Sequence, residues 1–294
     1  MVSILVPVYN REAFLAACLD SACAQTVRDF EVVVVDNAST DGTWDICRRF
    51  AARDSRVRIF RNAENLGPVR NWRRCFDEAR GEFGKVLFSD DLMSPDFLAK
   101  TVSYFDDPEI GFVFANCEIG SKPGGGQICF QWNHRTCKAA SADFIRDALR
   151  GRNLPVSPGA AIFRLADLRR NLVVSADSAQ HGAGPDLLLY LLTAAQYPAV
   201  AHIDEPLAFF RWHAGSISHE KRAELADCYT QAKIGFARRS EGLPYKNRIF
   251  ARAWLRRLGR RKSACFEMSK IAEALPSPDE PISELPIQIH KQNI

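Results

Sequence analysis

Short β-branched runs alternate with helix-length stretches through the first hundred residues, and several runs end in polar or acidic residues. That rhythm constrains the fold more than any other feature. Val2–Val8 and Glu31–Asp36 are mostly apolar, as strands buried on both faces are, and Val57–Phe60 and Lys85–Phe88 read similarly. Between them lie helical stretches at Glu12–Ala24, Thr43–Ala52, Pro68–Ala79 and Pro95–Phe105. Pro68 and Pro95 suit a first helical turn, where a missing N–H leaves nothing unsatisfied, and Ser94 is placed as an N-cap. Such alternation predicts an α/β domain with a mostly parallel, Rossmann-like sheet.

Beyond residue 110 the rhythm loosens. Gly111–Ile119 reads as a strand, Gly120–Gly126 as a flexible loop, and Ile128–Trp132 as an edge strand. Helical signals return at Ser141–Leu149, Asp186–Ala195 and Glu220–Arg238. Leu275–Ile294 holds four prolines and no period, which predicts a tail. The expected division is 1–118 and 119–219 as two halves of one domain, then a helical extension over 220–272 and a tail over 273–294.

Charge and cysteine usage narrow the class. Lys and Arg total 39 against 35 Asp and Glu, a net +4 that does not suggest a nucleic-acid binder. The nine cysteines include no C-x-x-C and no His at zinc-finger spacing, so they read as buried thiols in a reducing compartment. Met1 leads straight into a strand with no basic leader, and the longest apolar stretch, Leu187–Val200, is broken by Gln196 and Pro198. A cytoplasmic protein is expected.

In open α/β sheets, ligands bind outside the carboxyl ends of the strands. Here those ends read Pro7-Val8-Tyr9-Asn10, then Asp36-Asn37-Ala38-Ser39-Thr40-Asp41-Gly42, then Ser89-Asp90-Asp91. Asp41-Gly42 also reads as a turn leading into a helix. No G-x-G-x-x-G follows the first strand and no P-loop is present. Without a glycine cradle, a bound diphosphate needs another counter-charge, and a divalent cation on Asp90–Asp91 supplies one.

Four pieces together resemble the family 2 glycosyltransferases of the GT-A fold. They are Val6–Asn10, Val35–Thr43, Asn65-Leu66-Gly67-Pro68-Val69-Arg70-Asn71 and Ser89-Asp90-Asp91. The resemblance implies an inverting enzyme moving sugar from a UDP- or dTDP-sugar to a hydroxyl of a glycan or polyprenyl-linked acceptor in cell-surface polysaccharide synthesis. It implies a donor site drawn from Pro7, Val8, Tyr9, Asn10, Glu12, Asp36, Ser39, Arg70, Asp90, Arg211 and His213, with Asp36 accepting from the base. It also implies Mn²⁺ or Mg²⁺ held by Asp91 and His213. Many members carry an acid where Phe88 stands, so the metal is expected to bind mainly with the donor's own phosphates.

The resemblance continues in the second half. Gly184-Pro185-Asp186-Leu187 resembles the Glu-Asp segment that carries the family's catalytic base, with Pro185 in place of Glu and Asp186 as the base. An inverting displacement needs one carboxylate to take the acceptor's proton; the same residue also suits a helix cap. Phe209–Ser218 resembles the family's aromatic-Arg-x-His stretch, which places Arg211 and His213 by the phosphates, and Trp212 could stack on sugar or base. Gln131, Trp132, His134 and Arg135 are candidates for acceptor contact. Lys246–Lys262 is basic, with Phe250, Trp254 and Leu258 recurring every four residues, which suits either packing on the domain or an anionic membrane surface. Two other readings stay open: a sugar-phosphate nucleotidyltransferase, and a non-catalytic nucleotide-binding protein in which Asp186 is only a cap.

Overall fold

The structure, a computed structural model, describes residues 1–132, 134–152, 154, 157–174, 182–213, 215 and 222–239. The basic stretch 246–262, the tail and most of the expected extension lie outside those residues. One mixed sheet organises the domain, with β1 (Val2–Val8), β2 (Phe30–Asp36), β3 (Val57–Arg61) and β4 (Phe83–Val86) joined in parallel in the order β3-β2-β1-β4. The connecting helices are α1 (Leu15–Cys23), α2 (Thr43–Arg53) and α3 (Pro68–Glu78). Pro68 takes the first turn of α3 as expected.

Alternation along the strands explains the layering. Leu5, Val33 and Val35 enter one core with α3, whereas Ile4, Val6, Val8, Val32 and Val34 enter another with α1 and α2. Every residue of β1 and β2 is buried, so both faces are covered.

The second half continues the sheet. β5 is Leu92–Met93, α4 is Phe97–Thr101 followed by a 3₁₀ turn, and β6 is Ile110–Gly120. Next come β7 (Gln127–Cys129), β8 (Cys137–Ala140), α5 (Ser141–Leu149), β9 (Ala161–Arg164) and α6 (Leu165–Asn171). Finally come α7 (Pro185–Ala194), β10 (Ala199–Arg211) and α8 (Arg222–Arg239). β9 lies antiparallel between β4 and β6, and β10 runs parallel to β6. The sheet is therefore mixed.

Four sequence expectations shift. The fourth strand ends at Val86, not Phe88, and Pro95 precedes α4 rather than entering it. Ser94 uses its hydroxyl on the Asp96 N–H, 3.4 Å away, and the N-cap residue is Asp96. The edge strand stops at Cys129, and Trp132 is a core residue whose indole N–H donates to Asp147 at 3.2 Å. No helix among the described residues is long and apolar enough to cross a membrane.

Candidate active site

The loop after β1 is laced to the loop after β2. Asn10, at φ 49°, donates its backbone N–H to Ser39 Oγ at 2.9 Å, and its side-chain oxygen accepts from the Thr40 N–H at 2.9 Å. The Arg11 N–H donates to Thr43 Oγ1 at 2.8 Å. Glu12 accepts from the Gly42 N–H at 2.6 Å and donates its own N–H to Asp41. Asn10, Glu12 and Ser39 thus tie the two loops at this end of the sheet together. Tyr9 is exposed beside them, while Pro7 and Val8 are buried in β1. Val8 is a core residue whose carbonyl accepts from Asn37 N–H, so its side chain is not offered to a ligand.

Asp36 ends β2 fully buried. Its carboxylate accepts from the Ser39 N–H at 3.2 and 3.3 Å and pairs with Arg61 Nε at 3.0 Å. Arg61 also donates to the Ser39 carbonyl at 2.7 Å and lies over the Trp44 ring. Burying a carboxylate requires such a partner. Arg70 stands exposed on the first turn of α3, away from this pairing and without a hydrogen bond or ion pair to the described residues.

A second cluster forms where β4 turns. Asp90 Oδ2 receives Arg11 Nε and faces His213 Nε2, each at 3.2 Å. The Arg211 N–H donates to Asp91 Oδ1 at 3.0 Å, and the Arg211 guanidinium donates to the carbonyls of Asp90 and Phe14. Phe14 stacks on His213 with centroids 4.4 Å apart. Asp90, Asp91, Arg211 and His213 therefore meet as the sequence suggested, and Arg11 ties them to the β2 loop. Burial pushes Asp90 upward, but the His213 hydrogen bond and the Arg11 charge outweigh it and hold the group below its ordinary value. Burial and then the charge on Asp90 push Asp91 well above the usual carboxylate range.

The two adjacent carboxylates already meet Arg11, Arg211 and His213. Oxygen and imidazole donors at this place fit Mg²⁺ or Mn²⁺. Among the described residues, however, no three His, Cys, Asp or Glu side chains form a metal cage. The set fits an ion whose remaining ligands are water and phosphate oxygens. Phe88, at the position where many family members carry an acid, lies 5.3 Å from Trp72, centroid to centroid.

Asp186 occupies the first turn of α7, after Gly184 at φ 95° and Pro185. Its Oδ1 accepts from the N–H groups of Gly184 and Leu187 at 2.8 and 2.6 Å, so it serves the first turn from within the helix, and Gly184 rather than Asp186 is the N-cap. Its Oδ2 accepts from Tyr229 Oη at 2.9 Å. Burial raises its pKa to about 7, against the lowering effect of those hydrogen bonds. A carboxyl at that value can take up a proton near neutrality. Two contacts lean this helix on the β4 end. A Cβ on Gly182 would meet the Trp72 ring at 2.2 Å, and Trp72 packs on Phe88. The Tyr190 hydroxyl donates to the Ser157 carbonyl, whose 3₁₀ turn is held by Lys85 through Gly159.

Sequence reading missed Arg11, Phe14, Arg61, Lys85 and Tyr229. Arg11 falls between the strand end at Asn10 and the helical stretch from Glu12, and carries no charge pattern of its own. Gln131, His134 and Arg135 are exposed, with no contact to either acidic cluster. Trp212 donates its backbone N–H to the Gly120 carbonyl at 3.0 Å. Ala214 and 216–218 of the aromatic-Arg-x-His stretch lie outside the described residues.

Comparison with known proteins follows the same lines. The family model for glycosyl transferase family 2 matches residues 3–169. The O-antigen biosynthesis protein RfbC of Myxococcus xanthus is 30% identical over 243 residues, covering 80% of this chain and 17% of that protein. The putative glycosyltransferase EpsH of Bacillus subtilis is 38% identical over 97 residues, 33% of this chain and 28% of its own length. The matches thus span well under two thirds of these curated relatives. Residues 1–349 of S. aureus TarS, in complex with UDP-GlcNAc, share the fold with a TM-score of 0.69 at 18% identity, covering 89% of this chain and 73% of that one. The mannosyltransferase PcManGT from Pyrobaculum calidifontis, in complex with GDP-Man and Mn²⁺, gives 0.62 at 22% identity, with coverages of 92% and 73%.

Proposed function

The chain belongs to glycosyl transferase family 2, and from that premise we propose that it is an inverting glycosyltransferase of cell-surface polysaccharide synthesis. The donor is a UDP- or dTDP-sugar and the acceptor a hydroxyl of a glycan or lipid-linked glycan. Two observations carry this reading: the Asp90–Asp91–His213 strand end, and a buried carboxyl on α7 raised to about 7, whose helix start packs toward that strand end through Gly182, Trp72 and Phe88. Family likeness supports it: RfbC is named for O-antigen biosynthesis, TarS is complexed with UDP-GlcNAc, and PcManGT with GDP-Man and Mn²⁺.

Each group has a role in this proposal. Asn10, Glu12, Asp36 and Ser39 shape the nucleoside pocket, with Arg61 fixing Asp36, while Tyr9 and Arg70 offer exposed contacts to base or phosphates. Asp91 and His213 would hold a divalent cation, whose charge would offset that of the leaving diphosphate. Arg211 and Asp90 orient that edge. As the acceptor oxygen bonds to the sugar's anomeric carbon, its proton passes to Asp186 Oδ2, and the bond to the diphosphate breaks on the opposite face. Inversion follows from that geometry.

The test is product analysis with a panel of nucleotide-sugars, with Mn²⁺ and with chelator. Release of nucleoside diphosphate that Mn²⁺ supports and chelator stops is expected. Pyrophosphate made from a nucleoside triphosphate and a sugar phosphate would replace this reading with nucleotidyl transfer. Nucleotide binding without turnover on any donor would leave a binding protein.

A further inference from the structure

Helix α8 is packed onto the candidate catalytic base, and three contacts fix it there. Phe236 is fully buried in the same core as Leu187–Leu191 of α7. A Cβ on Gly184 would sit 3.1 Å from the Cys228 carbonyl, so the α8 backbone approaches the start of α7 as closely as a glycine allows. Lys233 Nζ donates to the Leu149 carbonyl at the end of α5, at 3.2 Å, where a cation also suits the helix dipole. Tyr229 follows Cys228 on this stretch of α8, and its hydroxyl donates to Asp186 Oδ2 at 2.9 Å.

The bonding pattern distinguishes the two carboxyl oxygens. Oδ1 is taken by two backbone N–H groups from α7's own first turn. Oδ2 has one protein donor, the Tyr229 hydroxyl, and retains acceptor capacity for a further proton. We propose that Tyr229 is a positioning residue for sugar transfer, locking the Asp186 carboxyl so that Oδ2 is the oxygen that takes the acceptor's proton. The acceptor O–H bond breaks as its oxygen bonds to the anomeric carbon. The proton stays on Oδ2, and the electron pair of the broken glycosyl bond leaves on the diphosphate.

A hydrogen bond to the ionised form stabilises it, so Tyr229 also sets how acidic Asp186 is. The other titratable groups that bear on the pair are Tyr190 from α7 and Cys228 from α8, both uncharged while protonated. Among the described residues, Tyr229 is the side chain whose hydrogen bond favours the ionised form of Asp186.

This inference rests on Asp186 being the base, and the experiment separates the two claims. The full chain is assayed for release of UDP from a UDP-sugar with water as acceptor, across the neutral range. Tyr229→Phe is expected to lower kcat about tenfold, to leave KM for the donor unchanged, and to move the acidic limb of the kcat profile up by about one pH unit. Placing 3-fluorotyrosine at 229, a stronger donor of the same shape, is expected to move that limb down, which keeps the proposal testable if Tyr229→Phe folds poorly. An unmoved limb in both proteins overturns the role of Tyr229, provided Asp186→Asn is inactive. If Asp186→Asn turns over normally, the base assignment itself has failed.

Discussion

His213 Nε2 lies 3.2 Å from Asp90 Oδ2, joining the end of β10 to the end of β4 across 123 positions of sequence. Arg11 reaches the same oxygen from the loop after β1. One carboxylate oxygen thereby gathers three separate segments at the place proposed for the metal and diphosphate. Removing the imidazole with His213→Ala should raise the Mn²⁺ concentration for half-maximal activity by about tenfold or more, the scale seen when metal-site partners are lost. Nucleoside binding should persist in the absence of metal. A Mn²⁺ titration of donor hydrolysis beside calorimetry with metal-free UDP distinguishes this from general loss of the site.

Lys85 gives a pH signature. It is fully buried in β4, donates to the Val86 carbonyl at 2.8 Å and to the Gly159 carbonyl, and lies 4.5 Å over the Phe97 ring. Burial pushes its pKa down to about 7 from an ordinary 10.5. Between those values the unfolded chain binds more protons, so this group makes stability rise with pH across that window and fall as pH drops through about 7. Wild type minus Lys85→Met, followed by urea unfolding at successive pH values, should show that rise. A flat difference would place the ammonium in a more polar setting than the carbonyl contacts indicate.

How much of this was legible beforehand follows from the range of the forces involved. β1 and β2 were readable because strands covered on both faces are nearly continuous apolar runs, and their acidic ends stood out against them. β9 was not readable: Ala161–Arg164 is four residues long and inserts antiparallel between β4 and β6 through pairings with Phe83–Gly84 and Phe112–Phe114. Trp132 reads as a candidate acceptor contact because it sits among polar residues, yet its indole is buried and donates to the Asp147 carboxylate. The candidate acids were visible as residue types; their partners were not. Arg61 on Asp36 and Tyr229 on Asp186 are contacts made by packing across 25 and 43 positions, and no local pattern announces them.

Gly184 is expected to tolerate no side chain. Its φ of 95° lies where L-residues are strained, and a Cβ would crowd the Cys228 carbonyl. Gly184→Ala should cost about 1–2 kcal/mol from the backbone conformation, with a further loss if α8 lifts. Denaturant unfolding gives the stability change. Tryptic cleavage at Lys233, buried on α8, faster in the variant than in wild type, would report displacement of α8; unaltered cleavage would confine the effect to the turn.

Asp186 should trade stability for activity. Its pKa is raised from 3.8 to about 7, so between those values the folded protein holds a proton the unfolded chain has released. Stability contributed by the neutral carboxyl is full below about 4 and is lost as pH rises through about 7. An Asn carboxamide has the same shape, accepts the Gly184 and Leu187 N–H bonds through its oxygen, and can donate to the Tyr229 oxygen. It never ionises, so Asp186→Asn should be at least as stable as wild type above neutral pH, with its advantage growing from pH 4 toward 7 and then levelling. The same change should lower turnover by about a hundredfold or more if Asp186 takes the acceptor's proton. Paired unfolding curves and donor turnover at each pH test both halves. A variant that is inactive and gains nothing with pH would mean that Asp186 is already ionised in the folded protein, and one that is fully active would reduce it to a helix cap.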